Sequence, residues 1–297
     1  MKKILVAGGT GFIGYNVAKK AIEKKFKVYS ISKNPAKKNR YIKKVKYIYL
    51  DLSKKNLKVP SINSYDYIVN CSGYGKHFKF NSEGKKLYKQ HFNSLKNLTR
   101  HLSKKKLKKF IQLGSCLEYS SSKSKINENF RCIPNSIYGQ AKLACTKYLK
   151  SLYKTSSLPV TIFRIFQVYG PKQDQNRLIP FIIEKCKKNK TFNLTTGEQK
   201  RDFCYIDDLV SVIFKSFKEK KSNGEIINIG YGKSHKIKQV VNIVRKIVGS
   251  GKPIFGVKKM HIGEKKIIIP NISKVKKILK WQPKYSLING IRKIIYS

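Results

Sequence analysis

Two residues four positions apart have the types needed to move a proton: Tyr138 and Lys142, in Tyr138-Gly139-Gln140-Ala141-Lys142. On a helix, positions i and i+4 share a face, so the ammonium would lie beside the phenol. A nearby cation favours the phenolate and brings down a tyrosine pKa otherwise too high for proton transfer near neutrality. In a chain with 18 tyrosines and 66 Lys+Arg residues, such a pair arises readily by accident. Ser115 gives it meaning. It stands in Gly114-Ser115-Cys116-Leu117-Glu118-Tyr119, at the end of an apolar run 23 residues before Tyr138. A hydroxyl at the C-terminal end of a strand lies where α/β sheets bind ligands, and it can hold the oxygen of an alcohol or ketone. The three are candidate catalytic residues: Ser115 to orient, Tyr138 as acid/base, Lys142 to tune it.

A second motif supplies the partner for that chemistry. Gly8-Gly9-Thr10-Gly11-Phe12-Ile13-Gly14 sets Gly8, Gly11 and Gly14 at the first, fourth and seventh positions of a G-x-x-G-x-x-G loop. The loop separates a strand-like run, Lys3 to Val6, from a helix-like stretch, Phe12 to Lys25. Glycine permits a tight turn and close approach of a pyrophosphate, which the following helix receives on free N–H groups. The candidate cofactor contacts here are Gly8, Gly11, Phe12, Ile13 and Gly14, and the cofactor expected is a nicotinamide dinucleotide. At the end of the second strand an acid would bind the ribose hydroxyls of NAD. Ser32 occupies that place, 18 residues after Gly14, and Lys33 follows. A small polar residue with a cation suits a 2′-phosphate, so NADP(H) is favoured, with NAD(H) as the alternative.

Short apolar runs alternate with amphipathic stretches through the first half, the rhythm of a parallel sheet covered by helices. Strands are predicted at Lys3–Val6, Lys27–Ser32, Tyr47–Leu50, Tyr67–Cys71, Lys109–Leu113 and Val160–Phe166. Helices are predicted at Phe12–Lys25, Leu87–Leu102, Ser136–Tyr153, Ile179–Lys187, Lys238–Val248 and Leu287–Ile295. The fold expected is α/β, a doubly wound parallel sheet of Rossmann type with a smaller, mixed C-terminal portion. Residues 1–168 would form the dinucleotide-binding domain and 169–297 the substrate-binding portion, part of 203–230 being a candidate to rejoin the main sheet.

Composition excludes several classes. Hydrophobic residues make up 40% of the 297, enough for a packed core. No run approaches the ~18 apolar residues of a membrane span. The six cysteines, Cys71, Cys116, Cys132, Cys145, Cys186 and Cys204, contain no C-x-x-C pair, and none of the five histidines stands at metal-ligand spacing. Reduced thiols, no metal and a cytoplasmic location are expected. The formal charge of +51 suggests nucleic acid. The excess is nearly all Lys and runs along the whole chain, its longest run being Lys104-Lys105-Lys106, so solvated lysine faces are the expectation and no specific nucleic-acid partner.

Taken together, the motifs resemble the extended short-chain dehydrogenase/reductase family, the NAD-dependent epimerases and dehydratases, over almost the whole chain. Further segments carry the likeness: Asp51-Leu52, a position that contacts adenine in the family; Asn70-Cys71-Ser72-Gly73, whose Cys71 and Gly73 would line the cofactor; and Asn93, in a helix supporting the active site. Arg201-Asp202-Phe203 with Tyr205-Ile206-Asp207-Asp208 matches a segment whose arginine contacts a nucleotide diphosphate; Asn228-Ile229-Gly230 and Lys280-Trp281-Gln282-Pro283 also match. The resemblance implies that Ser115, Tyr138 and Lys142 act as above, Lys142 also holding the nicotinamide ribose. It implies a nucleotide-sugar substrate and a homodimer packed through Leu87–Leu102 and Ser136–Tyr153, with no membrane partner.

Within the family, 4,6-dehydratases carry Asp-Glu directly after the catalytic Ser/Thr, because elimination needs an extra acid and base. Cys116 and Leu117 stand there, which argues against dehydration. Val168 to Val210, with Arg177-Leu178-Ile179-Pro180 and Thr195-Thr196-Gly197-Glu198-Gln199, is similar to 4-ketoreductases of the CDP-abequose synthase type, as is Tyr74-Gly75-Lys76-His77. The expectation is therefore NADPH-dependent reduction of a 4-keto-6-deoxy nucleotide sugar, for deoxysugar and polysaccharide biosynthesis. The alternative is an NAD-dependent epimerase of the UDP-glucose 4-epimerase kind, and a remote one is a binding or scaffold protein on the same fold. Gln167, where the family has asparagine, Arg177 and Arg201 are the candidate substrate contacts; Asn271-Ile272-Ser273-Lys274 departs from the family's Asp-x-Ser-Lys.

Overall fold

The computed structural model describes residues 1–73, 82–103, 105–120, 122, 124–260 and 265–296. Tyr74-Gly75-Lys76-His77 and Lys104 lie outside them. In the first half the order is β1 (Lys3–Ala7), α1 (Phe12–Glu23), β2 (Lys27–Ser32), β3 (Lys46–Tyr49), β4 (Tyr67–Asn70), α2 (Ser82–Thr99), β5 (Lys109–Ser115), α3 (Ile137–Ser156) and β6 (Val160–Ile165). Then follow β7 (Gln167–Tyr169), α4 (Leu178–Lys187), β8 (Thr191–Asn193), β9 (Lys200–Tyr205), α5 (Ile206–Ser216) and β10 (Ile226–Ile229). The chain continues with β11 (Ser234–Lys236), α6 (Ile237–Val248), β12 (Lys252–Ile254), β13 (Ile267–Ile268), α7 (Ser273–Leu279) and α8 (Leu287–Ile295).

Seven strands form one all-parallel sheet in the order β10-β6-β5-β4-β1-β2-β3. Alternating residues of each strand enter different cores, as the period of two requires. Ile4, Val6, Val28, Val69, Ile111 and Phe163 pack on one face with α1, α4 and α5. Leu5, Ala7, Ile31, Ile68, Phe110 and Ile162 pack on the other with residues of α2 and α3. Each such Val, Leu, Ile or Phe side chain removed from water contributes about 1.5–3 kcal/mol, so the doubly wound architecture follows from two apolar faces that both need cover. The strand order reverses between β1 and β4, and the crevice outside the carboxyl ends of these strands is where open α/β sheets bind ligands.

The second half builds a smaller layer. β9 pairs with β7, β11 and β13, while β8 pairs with β12. β10 leaves this layer and extends the large sheet beside β6. Two helices, α5 and α7, were not predicted. α5 is amphipathic, with Asp207, Ser211 and Lys215 exposed at four-residue spacing and the other positions largely buried, and that narrow polar stripe is the periodic signal the sequence reading missed. Among the described residues no helix is long and apolar enough to cross a membrane.

Candidate active site

The glycine loop closes on itself too tightly for side chains. A Cβ on Gly14 would come 2.2 Å from the carbonyl oxygen of Gly8, and Gly8 has a φ of +76° with Ser72 backbone 2.9 Å from its missing Cβ. Gly11 is the N-cap of α1 and offers no side-chain acceptor, so the first turn faces the cleft with its N–H groups uncovered by a cap. This is a cradle that fits a pyrophosphate. The cleft it opens is lined by Gly8, Gly11, Ser32, Lys33, Asp51, Leu52, Cys71 and Gly73, which brings these sequence-predicted residues together. Phe12 and Ile13 begin α1 beside them.

At the end of β2 Ser32 Oγ accepts the Thr10 N–H at 3.3 Å, tying this strand to the glycine loop. Lys33 Nζ stands 3.0 Å from Asp51 Oδ2. Burial works against the Asp51 carboxylate, yet hydrogen bonds from Ser53 and Lys33 hold it below the usual carboxylate range. Asn97 Nδ2, from α2, donates to the carbonyls of Leu52 and Lys54 at 2.8 and 2.7 Å and fixes the loop after β3.

At the other end a polar chain runs beneath the candidate catalytic residues. Ser72 Oγ donates to Asn70 Oδ1 at 2.5 Å, Asn70 Nδ2 to Gln112 Oε1 at 2.8 Å, and Gln112 Nε2 to the Leu113 carbonyl at 3.1 Å. The same carbonyl accepts from Lys142 Nζ at 3.0 Å. Lys142 is buried, and its Nζ lies 5.7 Å from the centre of the Tyr138 ring. Ser136 caps α3 by accepting the Gly139 N–H at 3.1 Å, which sets the register that puts Tyr138 and Lys142 on one face. The ammonium also sits beside Gly73 and Cys71. Burial pushes the Cys71 thiol up to about 12, against the pull of Lys142.

Ser115 ends β5 in a capping box: its Oγ accepts the Leu117 N–H at 3.1 Å, while its own N–H donates to Glu118 Oε1 at 2.8 Å. Glu118 is fully buried and also accepts from Arg164 Nε and Thr146 Oγ1, each at 2.8 Å. It is not an acid in reserve but the hub that fixes Ser115. Cys116 is half-buried, and burial pushes its thiol up to about 11 although Lys265 and Arg201 pull it down. A neutral thiol there supplies no base for an elimination.

Three placements differ from the sequence reading or add to it. The α2 residue that meets Tyr138 is His91, whose ring packs edge to face on it at 5.4 Å. Asn93 points instead to the Ser53 carbonyl, 3.5 Å away. The missed signal was spacing: Gln90, His91 and Ser94 form the cleft-facing stripe of α2. Arg201 is buried next to Cys116, with Nη1 donating to the Lys200 and Lys266 carbonyls at 3.0 and 3.2 Å. Lys265, not singled out from the sequence, is equally buried there and donates to the Tyr119 carbonyl. Gln167 and Arg177 are both exposed, Arg177 as the N-cap of α4, and no described contact joins either side chain to Ser115 or Tyr138. Among the described residues no group of three His, Cys, Asp or Glu could hold a metal.

The chain resembles known proteins over nearly its whole length. A putative UDP-glucose 4-epimerase of Methanocaldococcus jannaschii is 28% identical over 98% of the chain and 97% of its own length. The CDP-abequose synthase of Salmonella muenchen is 34% identical over 44% of the chain and 45% of its own length. The crystal structure of the UDP-glucose 4-epimerase of Thermotoga maritima, solved with UDP-glucose, superposes with a TM-score of 0.89 at 23% identity over 99% of this chain and 97% of that one. Residues 4–230 match the model of one family, and the chain belongs to it: the NAD dependent epimerase/dehydratase family.

Proposed function

We propose that this chain is a nucleotide-sugar 4-epimerase, working at the C4 alcohol of a UDP-sugar through Ser115, Tyr138 and Lys142. The observation that carries the chemistry is Lys142, whose ammonium lies between the Leu113 carbonyl, the Tyr138 ring and the Gly73 wall of the dinucleotide cleft. Relatives bearing epimerase names that align over nearly the full length support this outcome over others. A nicotinamide dinucleotide, when bound, supplies the oxidising and reducing power. Gly8, Gly11, Phe12, Ile13 and Gly14 would hold its pyrophosphate, Ser32, Lys33, Asp51 and Leu52 its adenosine, and Cys71, Gly73 and Lys142 its nicotinamide ribose. The chain's residues then do three things. Ser115 Oγ orients the substrate oxygen, Tyr138 Oη takes or returns its proton, and the Lys142 ammonium favours the phenolate between those events. Arg201, with Gln167 and Arg177, would meet the substrate's diphosphate, and α2 and α3 would form the face of a homodimer.

One observation favours a second reading. Ser32 and Lys33 leave the ribose end without the acid that binds NAD, which suits NADP(H) and hence net reduction of a 4-keto-6-deoxy nucleotide sugar. The partial likeness to CDP-abequose synthase points the same way. Purified protein given UDP-glucose and catalytic NAD should yield UDP-galactose with no net change at 340 nm. Stoichiometric loss of NADPH on a CDP- or dTDP-4-keto-6-deoxy sugar, without UDP-sugar isomerisation, would establish the reductase instead.

A further inference from the structure

The outer edge of the large sheet carries a row of tyrosines that the hydride chemistry does not use. Tyr47 and Tyr49 are two apart on β3 and leave it on one side; Tyr41 lies just before the strand. The rings of Tyr41 and Tyr47 are 5.4 Å apart with planes 20° from parallel, and those of Tyr47 and Tyr49 are 6.3 Å apart and 8° from parallel. Tyr47 is the fixed middle ring, its Oη accepting the Ile42 N–H at 3.0 Å. Tyr41 and Tyr49 flank it and are 57% and 56% exposed, a conspicuous amount for stacked aromatics at a sheet edge.

The same edge is basic. No Asp or Glu occurs from Lys33 to Leu50, and Lys37, Lys38, Lys43, Lys44 and Lys46 are all exposed. Lys37 pairs with Asp174, whereas Lys38, Lys43, Lys44 and Lys46 have no ion pair among the described residues. A second copy docked here through a twofold axis would set these lysines against one another. An anionic lipid surface would satisfy the charge but has no use for parallel rings. A chain of nucleotides uses both.

We propose that this edge binds single-stranded nucleic acid without sequence preference, bases stacking on Tyr41 and Tyr49 and phosphates lying along Lys38, Lys43 and Lys44. Stacking platforms beside a track of cations are the two ingredients such binding needs. The net charge of +51 draws in any polyanion, and the tyrosines discriminate in favour of one that carries planar bases.

The test uses the full chain, a fluorescein-labelled oligodeoxythymidine, a heparin fragment of similar charge and phosphatidylserine vesicles, across a salt series. Tyr41→Ala/Tyr49→Ala should weaken oligonucleotide binding by about tenfold or more, with heparin binding and the salt slope unchanged. Tyr41→Phe/Tyr49→Phe, which keeps rings and fold, should bind like the parent. Lys43→Gln/Lys44→Gln should flatten the slope of log affinity against log salt by about 1.4. Oligonucleotide binding by the alanine pair that equals the parent's, an equal loss toward heparin, or capture by vesicles without oligonucleotide binding would overturn the proposal.

Discussion

The imidazole of His91 meets the ring of Tyr138 edge to face, with centroids 5.4 Å apart, and Gly73 leaves just enough room for it: a Cβ there would come within 2.4 Å of His91 Cε1. His91 is buried and reaches the tyrosine from α2, so it braces the side of the phenol ring that α3 does not support. His91→Ala should lower kcat about tenfold through a misplaced phenol, with KM for the nucleotide sugar changed little. Steady-state kinetics alongside a melting curve would check this; a loss confined to the melting temperature would assign His91 to packing alone.

Tyr138→Phe removes the phenol oxygen and keeps the ring that His91 and Lys142 contact. Turnover should fall by two orders of magnitude or more, while dinucleotide affinity, measured by calorimetry, stays near that of the parent. Activity within about tenfold of the parent would deny Tyr138 the role of proton carrier.

On the proposed reading, cofactor choice turns on the end of β2. Ser32 and Lys33 line the cleft, and Lys33 Nζ lies 3.0 Å from Asp51 Oδ2. Ser32→Asp would place a carboxylate where a 2′-phosphate would sit and give NAD a ribose partner. The ratio of kcat/KM for the phosphorylated over the unphosphorylated cofactor should drop by about 10- to 100-fold, the worth of one charge-assisted hydrogen bond. An unchanged ratio would show that neither residue reads that position.

The large sheet and the glycine loop were legible because local pattern and tertiary need agree there: alternating apolar residues for two covered faces, glycines where Gly8 and Gly14 nearly touch. The expected placement of Ser115 at a strand end and of Tyr138 and Lys142 on one helix face is met by β5 and α3. What was not legible lies across the chain. His91 is a lone histidine in sequence and becomes part of the site only because α2 packs on α3, where the Cys145 thiol also meets the His91 carbonyl at 3.8 Å. Lys265 reads as one more lysine until β13 pairs beside Arg201 and buries it. α5 differs: its signal was present, Asp207, Ser211 and Lys215 recurring every four residues as a narrow exposed stripe in an otherwise buried helix.

Glu118 ties a buried charge cluster to Ser115. Its carboxylate holds Arg164, Thr146 and the Ser115 N–H in one fully buried cluster, and Arg164 in turn lies 4.4 Å over the Tyr119 ring. Glu118→Gln leaves the guanidinium buried without its counter-charge, which should cost about 3–5 kcal/mol of unfolding free energy by urea denaturation. The loss of Ser115's anchor should lower kcat in the protein that remains folded. A stability change under about 1 kcal/mol would mean that water reaches Arg164.

Asp202, next to Arg201, sets a pH dependence whose sign follows from its burial. The carboxyl is fully buried and accepts the N–H groups of Tyr231 and Gly232, clamping β9 to the loop after β10. Desolvation outweighs those bonds and raises its pKa from 3.8 to about 7. The folded state therefore holds this proton more tightly than the unfolded state does. The stabilising contribution is complete below pH 4 and fades as the pH rises through 7, by about 4 kcal/mol at most. Other carboxylates and the large positive charge also tilt the stability curve, so the informative quantity is the difference between the parent and Asp202→Asn. That difference should move in favour of the asparagine variant between about pH 4 and 7 and level off above. A difference constant across that range would show that Asp202 keeps an ordinary acidity in the fold, its backbone donors compensating fully for burial.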